Sequence, residues 1–317
     1  MFKRTLFTHE HELFRDTVRK FIEREIAPYH AQWEHDGIVP RDLWIKAGEA
    51  GMLCCTVPEE YGGLGLDYLF DVVVFEEMAR SGFTGPGFLI HCDLVSTYVK
   101  SFGTEEQKKQ WLPKMVSGEA IGSLGMTEPH AGSDLSADAM LGEEGQGFKL
   151  MMTKLAQERL AQAIRSATVT ETLIEMTVDY TANRKAFGTT IGAFQNTQFK
   201  LAELHTESVI GRIFTDHCIA KFMNGELDEV DAAMAKMWLS NLHCKTADEC
   251  LQLFGGWGYM WEYPISRAFA DCRIVKIAGG SIEVMKLIIG RSLFGRVSGQ
   301  ERVKAIDSGA EQKRLAS

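Results

Sequence analysis

Four long stretches with helical periodicity fill the C-terminal half of this chain and leave it few folds to choose from. From Phe148 to about Tyr180, Leu150, Met151, Leu155, Leu160, Ile164, Leu173 and Met176 recur at the spacing of one helix face. Residues 194–222, 229–254 and 281–293 repeat the pattern. Each such helix has an apolar stripe to bury, and four of them suggest a bundle. Pro is scarce, at 7 of 317 residues, and strands punctuated by turns are hard to find, which again favours helices.

The N-terminal half has the same character in shorter pieces. Residues 8–30 form an amphipathic helix through Leu13, Val18, Phe21, Ile22 and Ile26, closed by Pro28. A second helix runs from about Pro40 to Ala50, and a glycine-rich turn follows at Pro58-Glu59-Glu60-Tyr61-Gly62-Gly63-Leu64-Gly65. Residues 67–80 and 88–101 read as buried helices. Thr104 is an N-cap whose capping box is completed by Gln107, and that helix ends near Ser117-Gly118. Residues 121–147 lack a period and are rich in Gly, Ser, Asp and Glu. The expected organisation is a helical domain over 1–120, a separate segment over 121–141, a helical bundle over 142–296 and a polar, frayed tail over 297–317.

Several classes of function are disfavoured. Apolar residues make up 45% and charged residues 24%, as in ordinary globular proteins. No apolar run approaches the roughly 18 residues of a membrane span. Met1-Phe2-Lys3-Arg4 lacks the apolar stretch and cleavage site of a secretory signal, so a cytoplasmic protein is expected. The seven cysteines (Cys54, Cys55, Cys92, Cys218, Cys244, Cys250 and Cys272) have no metal-ligand spacing and suggest free thiols in a reducing compartment. His9 and His11 alternate with Glu10 and Glu12 and would not face one point, so they read as a solvated terminus rather than a metal site. A net charge of -9 argues against nucleic acid as a partner. It also gives no bulk attraction for an anionic substrate, which local Arg and Lys would have to supply.

Two motifs between helical segments carry chemistry. In Gln252-Leu253-Phe254-Gly255-Gly256-Trp257-Gly258-Tyr259, crowded glycines let a backbone or a phosphate come close. In Arg184-Lys185-Ala186-Phe187-Gly188, followed by Phe194-Gln195, a permanently charged planar guanidinium suits a pyrophosphate. Upstream lie Gly125-Met126-Thr127-Glu128-Pro129-His130-Ala131-Gly132-Ser133-Asp134 and Glu158-Arg159-Leu160; downstream lies Ala278-Gly279-Gly280-Ser281-Ile282-Glu283-Val284-Met285. In this order, these segments resemble the acyl-CoA dehydrogenase family, of the long-chain or isovaleryl type, and the resemblance covers the chain to about residue 294. It implies a mainly α fold with an N-terminal helical domain, a middle β-domain and a C-terminal four-helix bundle. It implies FAD as cofactor, an acyl-CoA thioester as substrate, electron-transfer flavoprotein as electron acceptor, and a homodimer or homotetramer. By position, Met126, Thr127, Arg184, Phe187, Gln195, Gln252, Gly255, Gly256, Ser281 and Glu283 would hold FAD, the Arg184 segment reaching a neighbouring subunit's pyrophosphate. Ser133 and Arg159 would face the substrate.

The family's reaction removes a proton from the carbon α to a thioester, and the base must be a carboxylate in a dry pocket. The resemblance allows two places for it: position 279, which is Gly here, and Glu158. Glu158 is therefore the expected base, against the alternative of a solvated Glu paired with a Lys or Arg. Gly279 keeps a role through its N–H, which could polarise the thioester carbonyl. Arg159 either shapes the substrate wall or forms a structural ion pair. Gly255 and Gly256 either hold flavin or cap a helix, and Arg184, Phe187 and Gln195 either hold flavin or form an exposed turn. Trp257 and Trp261 read as packing residues.

Set against the resemblance, Ser136-Ala137-Asp138-Ala139-Met140 runs straight into Leu141-Gly142-Glu143, as if most of the middle β-domain were deleted. What remains is too short to fold as a sheet. Weaker FAD binding and lower turnover are expected. The alternative is a catalytically impaired relative that serves as an oligomeric or interaction subunit.

Overall fold

The computed structural model describes residues 4–125 and 147–295. Met126, Thr127 and Ser133, the remnant of the middle domain and the C-terminal tail lie outside the described residues. Among the described residues the regular structure is helical apart from one hairpin of two two-residue strands.

In the N-terminal part α1 (His9–Phe21) does not continue to residue 30 as the periodicity predicts. It passes through a π-helical turn at Ile22–Ile26 and a bend at Pro28 before α2 (His30–Asp36). The wider turn brings both Ile22 and Ile26 into the core. After α3 (Arg41–Glu49), the glycine-rich turn packs so tightly that a Cβ on Gly63 would lie 2.0 Å from the Val57 carbonyl oxygen. Asp67 caps α4 (Tyr68–Ser81), accepting from the Leu69 N–H at 2.9 Å. The expected 88–101 helix is likewise interrupted, by a π-helical turn at Ile90–Val95 ahead of α5 (Ser96–Phe102). The capping box of α6 (Glu105–Val116) is formed as expected: the Thr104 N–H donates to Gln107 Oε1 at 2.9 Å and the Gln107 N–H to Thr104 Oγ1 at 3.3 Å. His11 is not solvated. It is buried, its Nδ1 accepts from the Thr8 N–H at 3.0 Å, and its Nε2 lies 3.1 Å from Asp67.

The second half consists of α7 (Gly147–Asn183), the hairpin β1 (Lys185–Ala186) and β2 (Thr189–Thr190), α8 (Gln195–Met223), α9 (Glu229–Phe254), α10 (Pro264–Cys272) and α11 (Ile282–Leu293). The four expected long helices are present, with α7 packed mainly on α9 and α8, and α11 on α9. The short α10 is additional, opened by Pro264 in its first turn.

One hydrophobic core joins the two halves, with Phe21, Val73 and Phe88 from the first and Leu160, Ile164, Ile219 and Leu239 from the second. Beside it runs a buried ionic seam. Glu76, 3% exposed, lies 3.0 Å from Arg4, Arg15 and Arg212, and Arg212 also forks onto Glu171 at 2.8 Å. Burial pushes the Glu76 carboxyl up, but Arg212, Arg4 and Arg15 together outweigh it and hold it below the usual carboxylate range.

Candidate active site

Glu158 and Arg159 sit on the buried middle of α7, 5% and 1% exposed. The solvated-glutamate alternative is thereby removed. Burial pushes the Glu158 carboxyl up, opposed by Arg159 and Lys236, and its Oε2 has no hydrogen-bond partner among the described residues. Arg159 donates to Glu229 Oε1 at 3.2 Å, so it forms the structural ion pair. Its Nη2 also lies 4.0 Å from where a Cβ on Gly280 would stand, which places it against the glycine turn as well.

That turn leads into α11. Gly279 and Gly280 have φ of +68° and +92°, two successive left-handed residues that only glycine adopts without strain. A Cβ on Gly279 would lie 3.5 Å from Glu158 Oε1 and 3.9 Å from Gln162 Cγ, so the bare backbone at 279 faces the carboxylate. Lys236, fully buried on α9, fixes the turn by donating from Nζ to the Gly280 carbonyl oxygen at 2.5 Å. Burial pulls its ammonium down to about 8, helped by Arg159 and opposed by Glu158 and Glu283. Ser281 caps α11, its Oγ accepting from the Val284 N–H at 3.4 Å. Glu283 is exposed in the first turn, where its own N–H and the Ser281 hydroxyl hold its carboxyl down.

Motif matching did not find Lys236. Its signal was a charged residue on the apolar stripe Ala232, Lys236, Leu239, His243 of α9, where all four residues are buried. The arrangement of a dry carboxylate of raised pKa, a glycine backbone that puts no side chain in front of it and two buried cations suits proton abstraction from an acid whose conjugate base carries charge on oxygen.

A second cluster forms at the far end of α7. Arg184, Phe187, Gln252, Gly255 and Gly256 line one open groove of about 670 Å³, together with Tyr180 and Trp257. Gly255 has φ +60°, and a Cβ on Gly255 or Gly256 would meet nothing within 4 Å, so this backbone is open to a ligand. Phe187 and Gly188 form the two-residue tip of the hairpin, with φ of +51° and +82° and the Phe187 ring 97% exposed. Gln195 is not in the groove; it lies exposed at the start of α8, beside Phe194, which is. Trp257 and Trp261 are 43% and 55% exposed, Trp257 packing one side of its ring on Tyr263 at a centroid distance of 5.2 Å.

A third feature borders the first. A cavity of about 470 Å³ lies between α4, the following loop, α7, α9 and α10. Phe75, Met78, Phe88, Leu173 and Met176 make its walls apolar, and Gln162, beside the Glu158 site, is one of its lining residues.

The architecture is a helical N-terminal domain docked on a helical bundle, with a buried glutamate facing a glycine turn. Residues 8–119 match the family model described as acyl-CoA dehydrogenase, N-terminal domain, and residues 145–294 match that described as acyl-CoA dehydrogenase, C-terminal domain. The long-chain specific acyl-CoA dehydrogenase of Rattus norvegicus mitochondria is 36% identical, the alignment covering 92% of this chain and 88% of the rat protein. A crystal structure of an acyl-CoA dehydrogenase from Geobacillus kaustophilus is 34% identical with a TM-score of 0.88, covering 92% of this chain and all of that one. An acyl-CoA dehydrogenase from Bacillus anthracis, solved in complex with FAD, has the same fold at 23% identity, with a TM-score of 0.83, and covers 94% of this chain and 70% of that one. The chain belongs to the acyl-CoA dehydrogenase family. The alignment to the rat protein extends over 377 positions while this chain has 317 residues, so at least 60 positions find no counterpart here. Residues 120–144 lie between the two matched domains.

Proposed function

We propose that the protein catalyses α,β-dehydrogenation of an acyl-CoA thioester, with Glu158 as the base. The observation that carries this is the buried Glu158 carboxylate facing the side-chain-free backbone of Gly279 at contact distance. With the thioester carbonyl against the Gly279 N–H, the α proton becomes acidic enough for a carboxylate whose pKa burial has raised. Arg159 and Lys236 hold the turn and balance the charge of Glu158. The acyl tail would leave this point past Gln162 into the apolar cavity.

The groove at the end of α7 fits FAD: Arg184 for the diphosphate, open backbone at Gly255 and Gly256, and Gln252 beside them. Bound FAD would supply the acceptor for the hydride leaving the β carbon. Arg184 directly follows α7, 26 residues beyond Glu158 and about 39 Å away by helical rise, farther than one dinucleotide reaches. The groove of one copy would therefore serve the Glu158 of another, which supports a homodimer or homotetramer and gives the exposed Phe187 a partner. Ser281 and Glu283 would contact the cofactor from the start of α11. Electrons would pass on to electron-transfer flavoprotein.

A second reading has a specific observation behind it. The missing alignment positions favour a chain that keeps the helices and oligomer but turns over slowly or not at all. The two are separated by the visible spectrum of the purified protein with added FAD, before and after anaerobic addition of a long-chain acyl-CoA. Retained flavin that bleaches supports the dehydrogenase. Protein that retains no flavin, or flavin that stays oxidised, supports the impaired subunit.

A further inference from the structure

The cavity beside Glu158 carries polar side chains among its apolar walls. On α7, Glu158, Gln162, Arg165, Val169, Thr172 and Met176 follow at the spacing of a single helix face, and all but Glu158 line the cavity. Arg165 is joined there by His243 of α9. Gln162 Oε1 and His243 Nδ1 are buried without a hydrogen-bond partner among the described residues, although His243 is only 2% exposed. The other charged groups around the cavity are engaged. Arg80 pairs with Glu175 at 2.9 Å, Arg267 donates to the Trp261 carbonyl oxygen at 2.6 Å, and Asp271 accepts from Thr84 Oγ1 at 3.2 Å. Asp271 attracts Arg165, yet no ion pair to Arg165 within 4.0 Å forms among the described residues. A guanidinium in an apolar chamber, flanked by two unpaired polar atoms, is a poor place for a methyl terminus and a good one for a carboxylate.

We propose that Arg165, with His243 and Gln162, recognises a carboxylate at the far end of the acyl chain, so that the site prefers ω-carboxyacyl thioesters, the mono-CoA esters of dicarboxylic acids. The inference rests on the reading of Glu158 as the reacting centre. Arg165 lies two helical turns from Glu158, about 10 Å by helical rise, which suits a diacid of medium length. The guanidinium would bind the carboxylate through paired N–H bonds, with the methylene chain lying along α7 between Glu158 and Arg165.

The test is isothermal titration calorimetry of the purified chain with sebacoyl-CoA and decanoyl-CoA, which have equal chain length, and with free sebacate and decanoate. Sebacoyl-CoA should bind about tenfold to a hundredfold more tightly, the worth of a hydrogen bond to a charged group. Arg165→Met should abolish the preference and leave decanoyl-CoA binding within about twofold; Arg165→Lys should retain part of it. Decanoyl-CoA binding the wild type as tightly as sebacoyl-CoA overturns the inference while sparing the acyl-CoA reading. So does a preference that survives in R165M, and the wild-type comparison decides by itself if R165M does not fold. Arg165-dependent binding of free sebacate without binding of either ester supports the carboxylate site and refutes the acyl-CoA reading. Binding of no probe overturns both.

Discussion

Glu158→Gln separates chemistry from architecture more cleanly than any other change in this chain. Glutamine keeps the volume of the side chain, so the packing around α7 is untouched. Two electrostatic effects of opposite sign remain. The buried carboxylate's desolvation cost disappears, and so does its attraction for Arg159 and Lys236. Arg159 retains Glu229 at 3.2 Å and Lys236 retains the Gly280 carbonyl at 2.5 Å, so neither cation is stranded. We predict a stability change within about 1 kcal/mol, because the desolvation relieved and the attraction lost oppose each other and neither cation loses a direct partner. Proton abstraction should fall by about 10²–10⁴-fold, the usual worth of a positioned general base. The assays are urea denaturation for the first and, for the second, anaerobic stopped-flow bleaching of FAD-loaded protein together with exchange of the substrate α proton in D2O. Unchanged exchange in E158Q would remove Glu158 from the mechanism. A loss of several kcal/mol in stability would show that the residue is a structural anion instead.

Four further outcomes are expected. Glu76→Ala should destabilise the fold by about 3–5 kcal/mol in urea denaturation, because it leaves Arg212 buried with Glu171 alone and deprives Arg4 and Arg15 of a shared anion. The carboxyl of Glu76 is held below its unfolded value, so its stabilisation is present above the unfolded pKa and lost as pH falls through the folded one; the denaturation midpoints of wild type and E76Q should converge on acidification, and a constant gap would refute this. Arg184→Gln should weaken FAD binding about tenfold, read as quenching of Trp257 in the groove, with the melting temperature unchanged because Arg184 is exposed. Gly118→Ala should cost more than about 3 kcal/mol, since φ is +79° and the new Cβ would lie 2.2 Å from the Trp44 carbonyl oxygen; wild-type stability in that variant would contradict the packing of α3 on the end of α6.

The helices were legible because amphipathic periodicity is a local property: the four bundle helices and the Thr104–Gln107 capping box stand where the pattern placed them. The π-helical turns at Ile22–Ile26 and Ile90–Val95 were not, since a single wide turn shifts the stripe by one residue without breaking its apolar character. The site divides in the same way. Motif order picked out Glu158, Arg159 and Gly279, which the fold brings together, and five of the six residues assigned to the Arg184–Gly256 cluster, which share a groove. Gln195 falls outside that groove because helix α8 starts there and carries its side chain outward. Lys236, Gln162, Arg165 and His243 escaped because they belong to no motif and are scattered along otherwise apolar helix faces. Only tertiary structure reveals that these stripes face a glycine turn or a cavity rather than solvent.

The ionic seam at Glu76 also sets an order of events during synthesis. Arg4 and Arg15 leave the ribosome before Glu76, but Arg212 follows it by 136 residues, which at roughly 5–20 residues per second is about 7–27 s later. Until then the nascent N-terminal helices hold a carboxylate with only part of its counter-charge and an apolar face whose other half, around Leu160, Ile219 and Leu239, has not been made. The first domain must therefore wait, exposed, for the bundle. A chain released early, anywhere before α8 is complete, would be a substrate for chaperones rather than a smaller folded protein.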